Sequence, residues 1–167
     1  MKMRRICAGL LLFLLCLTGC TPELSREAEN TCTISIRCDT ILQNMASLTP
    51  GKEELIPEDG HILAPASVVF YEGESVFHVL QRTCKEMGIH MEFMNTPMYN
   101  TAYIEGIANL YEFDVGALSG WMYRVNGWFP NYGCSRYALE DGDVIEWIYT
   151  CDLGADVGGG SVNQKEE

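Results

Sequence analysis

The spacing of apolar residues divides the middle of this chain into strands and one clear helix. From Thr31 to Asp39 apolar and polar residues alternate, a pattern typical of a strand with one buried face. Between residues 75 and 87 apolar residues recur every three or four positions, which predicts an amphipathic helix packed on a sheet. Its predicted buried stripe is Val76, Val79, Leu80, Cys84 and Met87, whereas Gln81, Arg82, Lys85 and Glu86 are predicted to face water. Glu74 or Ser75 is expected to cap this helix, and Gly88 to end it.

The remaining pattern predicts further strands and two tight turns. Strands are predicted at residues 66–71, 90–93, 101–107, 121–125 and 143–150. Asn126-Gly127 and Asp141-Gly142 are predicted to be turns, because both residue types tolerate a positive φ. Helical spacing of Ile41, Leu42, Met45 and Leu48 predicts a short helix before Pro50-Gly51.

The order of these elements indicates an α+β fold. It favours a β-grasp-like, mixed but mostly antiparallel sheet with one main helix packed on one face. The first and last strands are expected to be parallel neighbours.

The amino-terminal residues have the pattern of a secretory lipoprotein signal. A short basic stretch precedes an apolar run at residues 6–17, which is too short to cross about 30 Å of hydrocarbon comfortably. The run ends in Leu17-Thr18-Gly19-Cys20, which resembles the bacterial lipobox. We therefore expect residues 1–19 to be removed and Cys20 to carry lipid such as palmitate. The alternative is an ordinary signal peptide with a chance cysteine.

These boundaries predict one anchored domain. Residues 20–30 are expected to be the lipidated cysteine and a polar linker, residues 31–157 the folded domain, and residues 158–167 a disordered tail. The predicted location is the cell membrane, lipid-anchored on the extracytoplasmic face.

Charge narrows the set of partners. The chain has 167 residues with 11 Lys and Arg against 23 Asp and Glu, a net charge of −12. Removing the signal also removes Lys2, Arg4 and Arg5, which leaves a still more acidic chain. So few positive charges cannot neutralise the phosphates along a nucleic-acid backbone. Nucleic acid is therefore not expected as a partner.

Five of the eight cysteines fall inside the predicted domain: Cys32, Cys38, Cys84, Cys134 and Cys151. An exported protein can oxidise them, but an odd number allows at most two internal bridges. If the first and last strands are parallel, Cys38 and Cys151 lie at the same edge of the sheet and are the disulfide candidates. The alternative is that all five are buried and reduced.

Two segments carry a resemblance to a known family. GWMYRVNG at residues 120–127 and LEDGDVIEW at residues 139–147, together with residues 99–107, resemble the transcobalamin-like C-terminal domain family. That family occurs in bacterial surface proteins and as the small cap domain of the cobalamin carriers transcobalamin and intrinsic factor. The resemblance implies a corrinoid such as cobalamin as a ligand, with no cofactor required. Because the large helical domain of those carriers is absent here, it also implies a second protein, such as a vitamin-uptake transporter, that completes the site.

Five aromatic residues are the candidate ligand-binding surface. Trp121 and Tyr123 share one strand face, and Trp128, Phe129 and Tyr132 follow the predicted Asn-Gly turn. Such a cluster suits a flat conjugated ligand, a sugar or a partner protein. The alternative for Trp121 and Tyr123 is that they pack in the core. The same alternative applies to the three loop aromatics. The leading functional hypothesis is corrinoid capture for uptake, and the alternative is a structural or adhesive surface module that binds a protein or glycan.

No sequence pattern points to catalysis. The histidines His61, His78 and His90 lack metal-ligand spacing. Asp141, Asp143 and Glu146 do not have the spacing of a calcium-binding EF-hand loop. We therefore expect neither enzymatic activity nor a metal site.

Overall fold

The computed structural model describes residues 30–96 and 101–159. The predicted signal at residues 1–19, the lipidation of Cys20, the linker up to residue 29 and residues 160–167 of the tail lie outside the described residues. Within the described ranges, no helix is long and apolar enough to span a bilayer.

Seven strands and two α-helices make up the described fold. In chain order they are β1 (Asn30–Arg37), α1 (Asp39–Leu42), β2 (His61–Phe70), α2 (Val76–Met87), β3 (Met91–Thr96), β4 (Thr101–Ile107), β5 (Leu110–Tyr111), β6 (Gly120–Val125) and β7 (Val144–Thr150). Short 3₁₀ turns occur at Met45–Ser47, Glu53–Leu55, Cys134–Arg136 and Ala155–Val157.

The strands form two sheets, and the predicted α+β fold class is confirmed. The larger sheet has the order β2-β1-β7-β6, and the smaller has the order β3-β4-β5. β1 and β7 are parallel, from Thr33 opposite Val144 to Arg37 opposite Ile148, and the other pairs are antiparallel. The predicted parallel pairing of the first and last strands is therefore correct.

Helix α2 closes one face of the larger sheet, as its apolar pattern predicts. Ser75 is its N-cap, and the Ser75 N–H donates to Nδ1 of His78 at 3.1 Å. Its buried residues pack with inward-facing residues of β1, β6 and β7 in the main core. Burial of a full-sized apolar side chain is worth about 1.5 to 3 kcal/mol, so several of them hold the helix firmly on the sheet.

Two predicted side-chain positions on α2 are wrong. Met87 is 55% exposed rather than buried, because the helix ends there and left-handed Gly88 turns the chain so that Ile89 packs against the core instead. Arg82 does not face water freely. It pairs with Glu74 and donates to the Val69 carbonyl at 2.6 Å, which ties the helix to β2.

The predicted helix over residues 41–48 is broken into α1 and a 3₁₀ turn. Ile41 and Leu48 are buried in a smaller second cluster, whereas Leu42 and Met45 are exposed. The helical stripe fails because α1 has only four residues and the chain changes direction at Asn44.

Strand β2 is longer than predicted and begins at His61 rather than near Ala66. It contains Pro65, which lacks a backbone N–H and is tolerated because β2 is an edge strand with a register shift opposite Ser35. The strand predicted at residues 90–93 is also displaced, and β3 runs from Met91 to Thr96.

Candidate functional site

The two predicted aromatic residues on β6 have different environments. Tyr123 is buried in the main core, where its hydroxyl donates to the Tyr132 carbonyl at 2.8 Å. Trp121 is half-buried between the two hydrophobic clusters, and its Nε1 donates to the Leu110 carbonyl at 2.8 Å. Trp121 therefore keeps part of its ring at the surface.

The three loop aromatics separate into two groups. The Trp128 ring lies 6.0 Å from Tyr132 and 6.4 Å from Tyr137, and Tyr132 stacks on Tyr137 at 6.2 Å. Phe129 lies elsewhere, beneath the Arg124 guanidinium at 5.8 Å. The structure thus brings Trp128 and Tyr132 together and leaves Phe129 apart from them.

Trp121 lines a surface cleft of about 280 Å³ at the end of β6 and β7. We call it the Trp121 cleft, and its large apolar lining residues are Tyr103, Phe113, Leu118, Trp121, Met122 and Leu153. Phe113 is 60% exposed and Leu153 is 68% exposed. Large apolar side chains gathered around one opening are typical of a binding surface.

Two residues at the rim of this cleft have unusual backbone conformations. Phe113 has a φ of 69° and Leu153 a φ of 46°, in the left-handed region that bulky residues avoid. Their amides are held by hydrogen bonds, from Phe113 to the Ser119 carbonyl at 3.0 Å and from Leu153 to the Leu118 carbonyl at 2.8 Å. The fold therefore holds two apolar side chains in water at an energetic cost, which is characteristic of functional sites.

The loop that carries Phe113 is fixed by buried polar groups. The Asp114 carboxylate accepts from Lys52 Nζ at 2.6 Å and from the Tyr111 N–H at 2.7 Å. The Tyr149 hydroxyl donates to the Tyr111 carbonyl at 2.7 Å and lies 3.1 Å from Ser119 Oγ. Burial raises the pKa of Tyr149 to about 12, so this hydroxyl keeps its proton at physiological pH. These hydrogen bonds hold the loop at the rim of the cleft in place.

A second cleft, of about 500 Å³, lies on the other side of Tyr103. We call it the Tyr132 cleft, and its lining includes Thr101, Tyr103, Pro130, Asn131, Tyr132 and Arg136. Tyr103 lines both clefts, and its hydroxyl donates to the Glu112 carboxylate. Burial, followed by this hydrogen bond, raises the pKa of Tyr103 to about 12.

Residues 73–150 match a family described as a domain of unknown function, DUF4430. The matched segment runs from just before α2 to the end of β7, so it includes both clefts except Leu153. The family description assigns no activity.

Two solved structures that match this chain differ in size. One is a candidate metal-binding protein from Ruminococcus gnavus ATCC 29149, with 15% identity and a TM-score of 0.44, over 73% of this chain and 97% of that chain. The other is haptocorrin in complex with Cbi, with 14% identity and a TM-score of 0.47, over 76% of this chain and 27% of that chain. This chain therefore spans about a quarter of the haptocorrin chain. No curated protein matches the sequence.

The two predicted disulfide partners are free thiols in the structure. Cys38 is buried in the second cluster and Cys151 packs against the same cluster, with its Sγ 3.7 Å from Thr40 Oγ1. Burial raises the pKa of Cys38 to about 12. The bridge stays a prediction, and a peptide map of the non-reduced protein that shows both thiols free would contradict it.

The histidines have local hydrogen-bonding roles. His61 Nδ1 lies 3.0 Å from the Asp59 carbonyl, and His90 Nε2 lies 3.3 Å from the Glu92 carboxylate. Among residues 30–96 and 101–159, no group of three or more His, Cys, Asp or Glu side chains is placed to hold a metal ion.

Sequence reasoning missed three of the side chains that form the clefts. Phe113 and Leu153 lie in loops, where no apolar period exists, and Tyr103 lies on a strand whose alternation indicates only that it faces outward. The one available signal was a pair of large apolar residues each placed within three positions of a glycine, Gly116 and Gly154.

Proposed function

We propose that this chain is a lipid-anchored, non-catalytic binding protein on the extracytoplasmic face of the membrane. Its domain holds a flat conjugated ligand against the Trp121 cleft. The observation that carries the proposal is the pair Phe113 and Leu153, exposed and fixed in left-handed conformations beside the half-buried Trp121 ring.

A corrinoid is the ligand class we propose. The GWMYRVNG segment supplies Trp121 itself, so the sequence resemblance and the cleft meet at one residue. At about 280 Å³ the cleft lies just below the range of about 300–1,000 Å³ typical of sites that enclose a whole small molecule. It therefore covers one side of a corrin ring, and a second protein, such as a vitamin-uptake transporter, covers the other.

A titration of the purified full chain in detergent tests this proposal. Cobalamin and cobinamide absorb where tryptophan emits, so binding next to Trp121 quenches tryptophan fluorescence. Phe113→Ser and Leu153→Ser should each weaken binding by about tenfold, because each removes an exposed apolar contact. Met87→Ser is the matched control, since Met87 is exposed to a similar degree on α2 and does not line the cleft. Unquenched wild-type fluorescence at high micromolar ligand, or equal binding by all variants, would refute the proposal.

The proposed anchor has its own test. Cells grown with a palmitate analogue should label the wild-type chain, and the labelled chain should partition into the detergent phase of Triton X-114. Cys20→Ser should lose both the label and the detergent partition, whereas Cys151→Ser should keep them. A chain that is released into the medium without Cys20 being altered would contradict lipid anchoring.

Adhesion is the second candidate function, and it is favoured by Tyr132. This ring is partly exposed and stacks on Tyr137 at an angle of 19°, an arrangement that suits contact with a sugar face or a partner protein. If adhesion is the function, Tyr132→Ala should abolish binding to immobilised glycans or surface proteins while Phe113→Ser leaves it intact. No binding of the wild type to immobilised glycans or surface proteins, or equal binding by Tyr132→Ala, would contradict this role of Tyr132.

A further inference from the structure

Most cations in the described part of the chain are neutralised by carboxylates. Six Lys and Arg residues are described, and four of them form ion pairs: Arg37 with Asp39, Lys52 with Asp114, Arg82 with Glu74, and Arg124 with Glu146. The other two, Lys85 and Arg136, have no carboxylate oxygen of the described residues within 4.0 Å. Of these two cations, Lys85 is exposed on α2, whereas Arg136 lines the Tyr132 cleft.

The charge of the Tyr132 cleft is opposite to that of the protein. Arg136 lines this cleft, and none of its described lining residues is acidic. By contrast, the Trp121 cleft includes Glu112, and a third, polar cleft beside Arg37 includes Asp39 and Asp156. In a chain with 23 acidic and 11 basic residues, a cleft with a single positive charge and no carboxylate is suited to an anion.

The backbone that carries Arg136 is fixed against β4. The Ala102 N–H donates to Ser135 Oγ at 3.0 Å, and the Arg136 N–H donates to the Gly133 carbonyl at 3.0 Å. Gly133 lies so close to Thr101 that a Cβ added there would be 1.7 Å from Thr101 Oγ1. The 3₁₀ turn therefore packs directly against β4.

The guanidinium of Arg136 has an aromatic neighbour but no ion pair with the described residues. It lies 6.0 Å over the Tyr132 ring, and no acceptor within the described residues takes a hydrogen bond from it. A guanidinium presents five N–H donors in a planar fork that matches a carboxylate or a phosphate. The Tyr132 ring lies within cation–π distance of this guanidinium, so the cation and the aromatic surface adjoin each other in the cleft.

We propose that the Tyr132 cleft binds an anionic group, a carboxylate or a phosphate, attached to a planar apolar ligand. Arg136 binds the anion, and the Tyr132 and Tyr103 rings contact the apolar part. This site is separate from the corrinoid proposal, because it uses the cleft on the other side of Tyr103.

Ligand-observed NMR on the full chain in detergent tests this site with three matched probes: phenyl phosphate, benzoate and neutral benzamide. The wild type should bind at least one anion about fivefold more tightly than benzamide, as expected for a charge-assisted contact at a partly exposed site. The stronger of the two anions shows whether phosphate or carboxylate is preferred. The preference should shrink as salt is raised from 20 to 500 mM, since salt screens an exposed charge.

Two variants decide whether Arg136 is responsible. Arg136→Gln should abolish the preference for the anions, whereas Lys85→Gln should retain it, because it removes the other unpaired cation outside the cleft. Phe113→Ser should also retain it, which separates this site from the Trp121 cleft. Equal binding of anions and benzamide, no binding of any probe, or an unchanged preference in Arg136→Gln would each overturn the inference.

Discussion

Phe113 combines an exposed ring with a backbone conformation that a residue with a Cβ adopts only at a cost. Left-handed φ values cost about 1–2 kcal/mol for residues other than glycine, and an exposed ring gains little burial to offset it. Selection for stability alone would place glycine here. The proposed function accounts for the side chain as a ligand contact.

Glycine and alanine substitutions at residue 113 separate backbone strain from ring contact. We expect Phe113→Gly to be more stable than Phe113→Ala by about 1 kcal/mol, because only glycine relieves the left-handed strain. Urea unfolding followed by circular dichroism measures the difference. At Leu118, whose φ is not positive, the order should reverse, with Ala more stable than Gly. Equal stabilities of the two Phe113 variants would show that the backbone is not strained.

The ion pair between Lys52 and Asp114 is a second residue-scale test, because it is the least exposed of the pairs around the clefts. Lys52→Met should destabilise the fold by about 1–3 kcal/mol, since it leaves the Asp114 carboxylate buried with a backbone N–H as its remaining donor. Lys85→Met, at an exposed and unpaired lysine, should change the free energy of unfolding by less than about 0.5 kcal/mol. A neutral Lys52→Met would mean that the pair does not hold the loop.

At the scale of elements, apolar burial holds α2 on the larger sheet. Leu80 is fully buried in the main core, so Leu80→Ala should cost about 2–5 kcal/mol of unfolding free energy. Met87→Ala, on the same helix but exposed, should stay within about 0.5 kcal/mol. Chemical denaturation compares the two variants, and a similar loss in both would contradict the observed helix end at Gly88.

Elements with a strong local period, and the parallel pairing of the first and last strands, could be predicted from the sequence, whereas the division of the strands into two sheets could not. The alternation in β1 and the apolar stripe in α2 record burial on one face, and the structure has both. Within the smaller sheet, β4 pairs with only two residues of β5, and so short a contact has no periodic pattern in the sequence. The end of α2 at Gly88 was predicted correctly, but the burial of Met87 was not, because Ile89, beyond the helix, packs against the core instead.

The candidate site was predicted only in part for the same reason. Trp121 was identified because it lies on a recognisable strand and inside a recognisable segment. The Trp121 cleft, however, forms where Leu153 donates to Leu118, two residues far apart in the sequence and both in loops. Tyr123 shares the strand face of Trp121 but lies deeper, opposite Trp147, so an identical sequence signal gave one core residue and one cleft residue.

For the molecule as a whole, the buried thiols make stability depend on alkaline pH. Burial raises the pKa of Cys32 and Cys84 to about 11, and of Cys38 and Cys134 to about 12, from an ordinary value of 9.0. Above pH 9 the unfolded chain loses these protons while the folded chain keeps them. Stability is therefore complete below pH 9 and falls as the pH rises toward 11 and 12.

Thermal unfolding between pH 7.5 and 10.5 measures this effect. The Tm should be nearly constant up to pH 9 and then fall. Cys84→Ala should have a lower Tm throughout, because it leaves a cavity, but a shallower fall above pH 9 because one buried thiol is gone. A Tm that stays constant up to pH 10.5 would show that these thiols are not held protonated by the fold.

The parallel pairing of β1 with β7 gives the domain a direction relative to the anchor proposed at Cys20. β1 starts at Asn30, where the predicted linker from Cys20 arrives, and the Trp121 cleft lies past its far end, beside Gly120 and Thr150. Eight residues at about 3.3 Å each separate the two by about 26 Å. A chain tethered through Cys20 would therefore hold the cleft on its outward pole, so that a ligand is met from the medium first. A membrane protein that receives the ligand would then have to extend past the domain, or the linker after Cys20 would have to bend the domain toward the membrane.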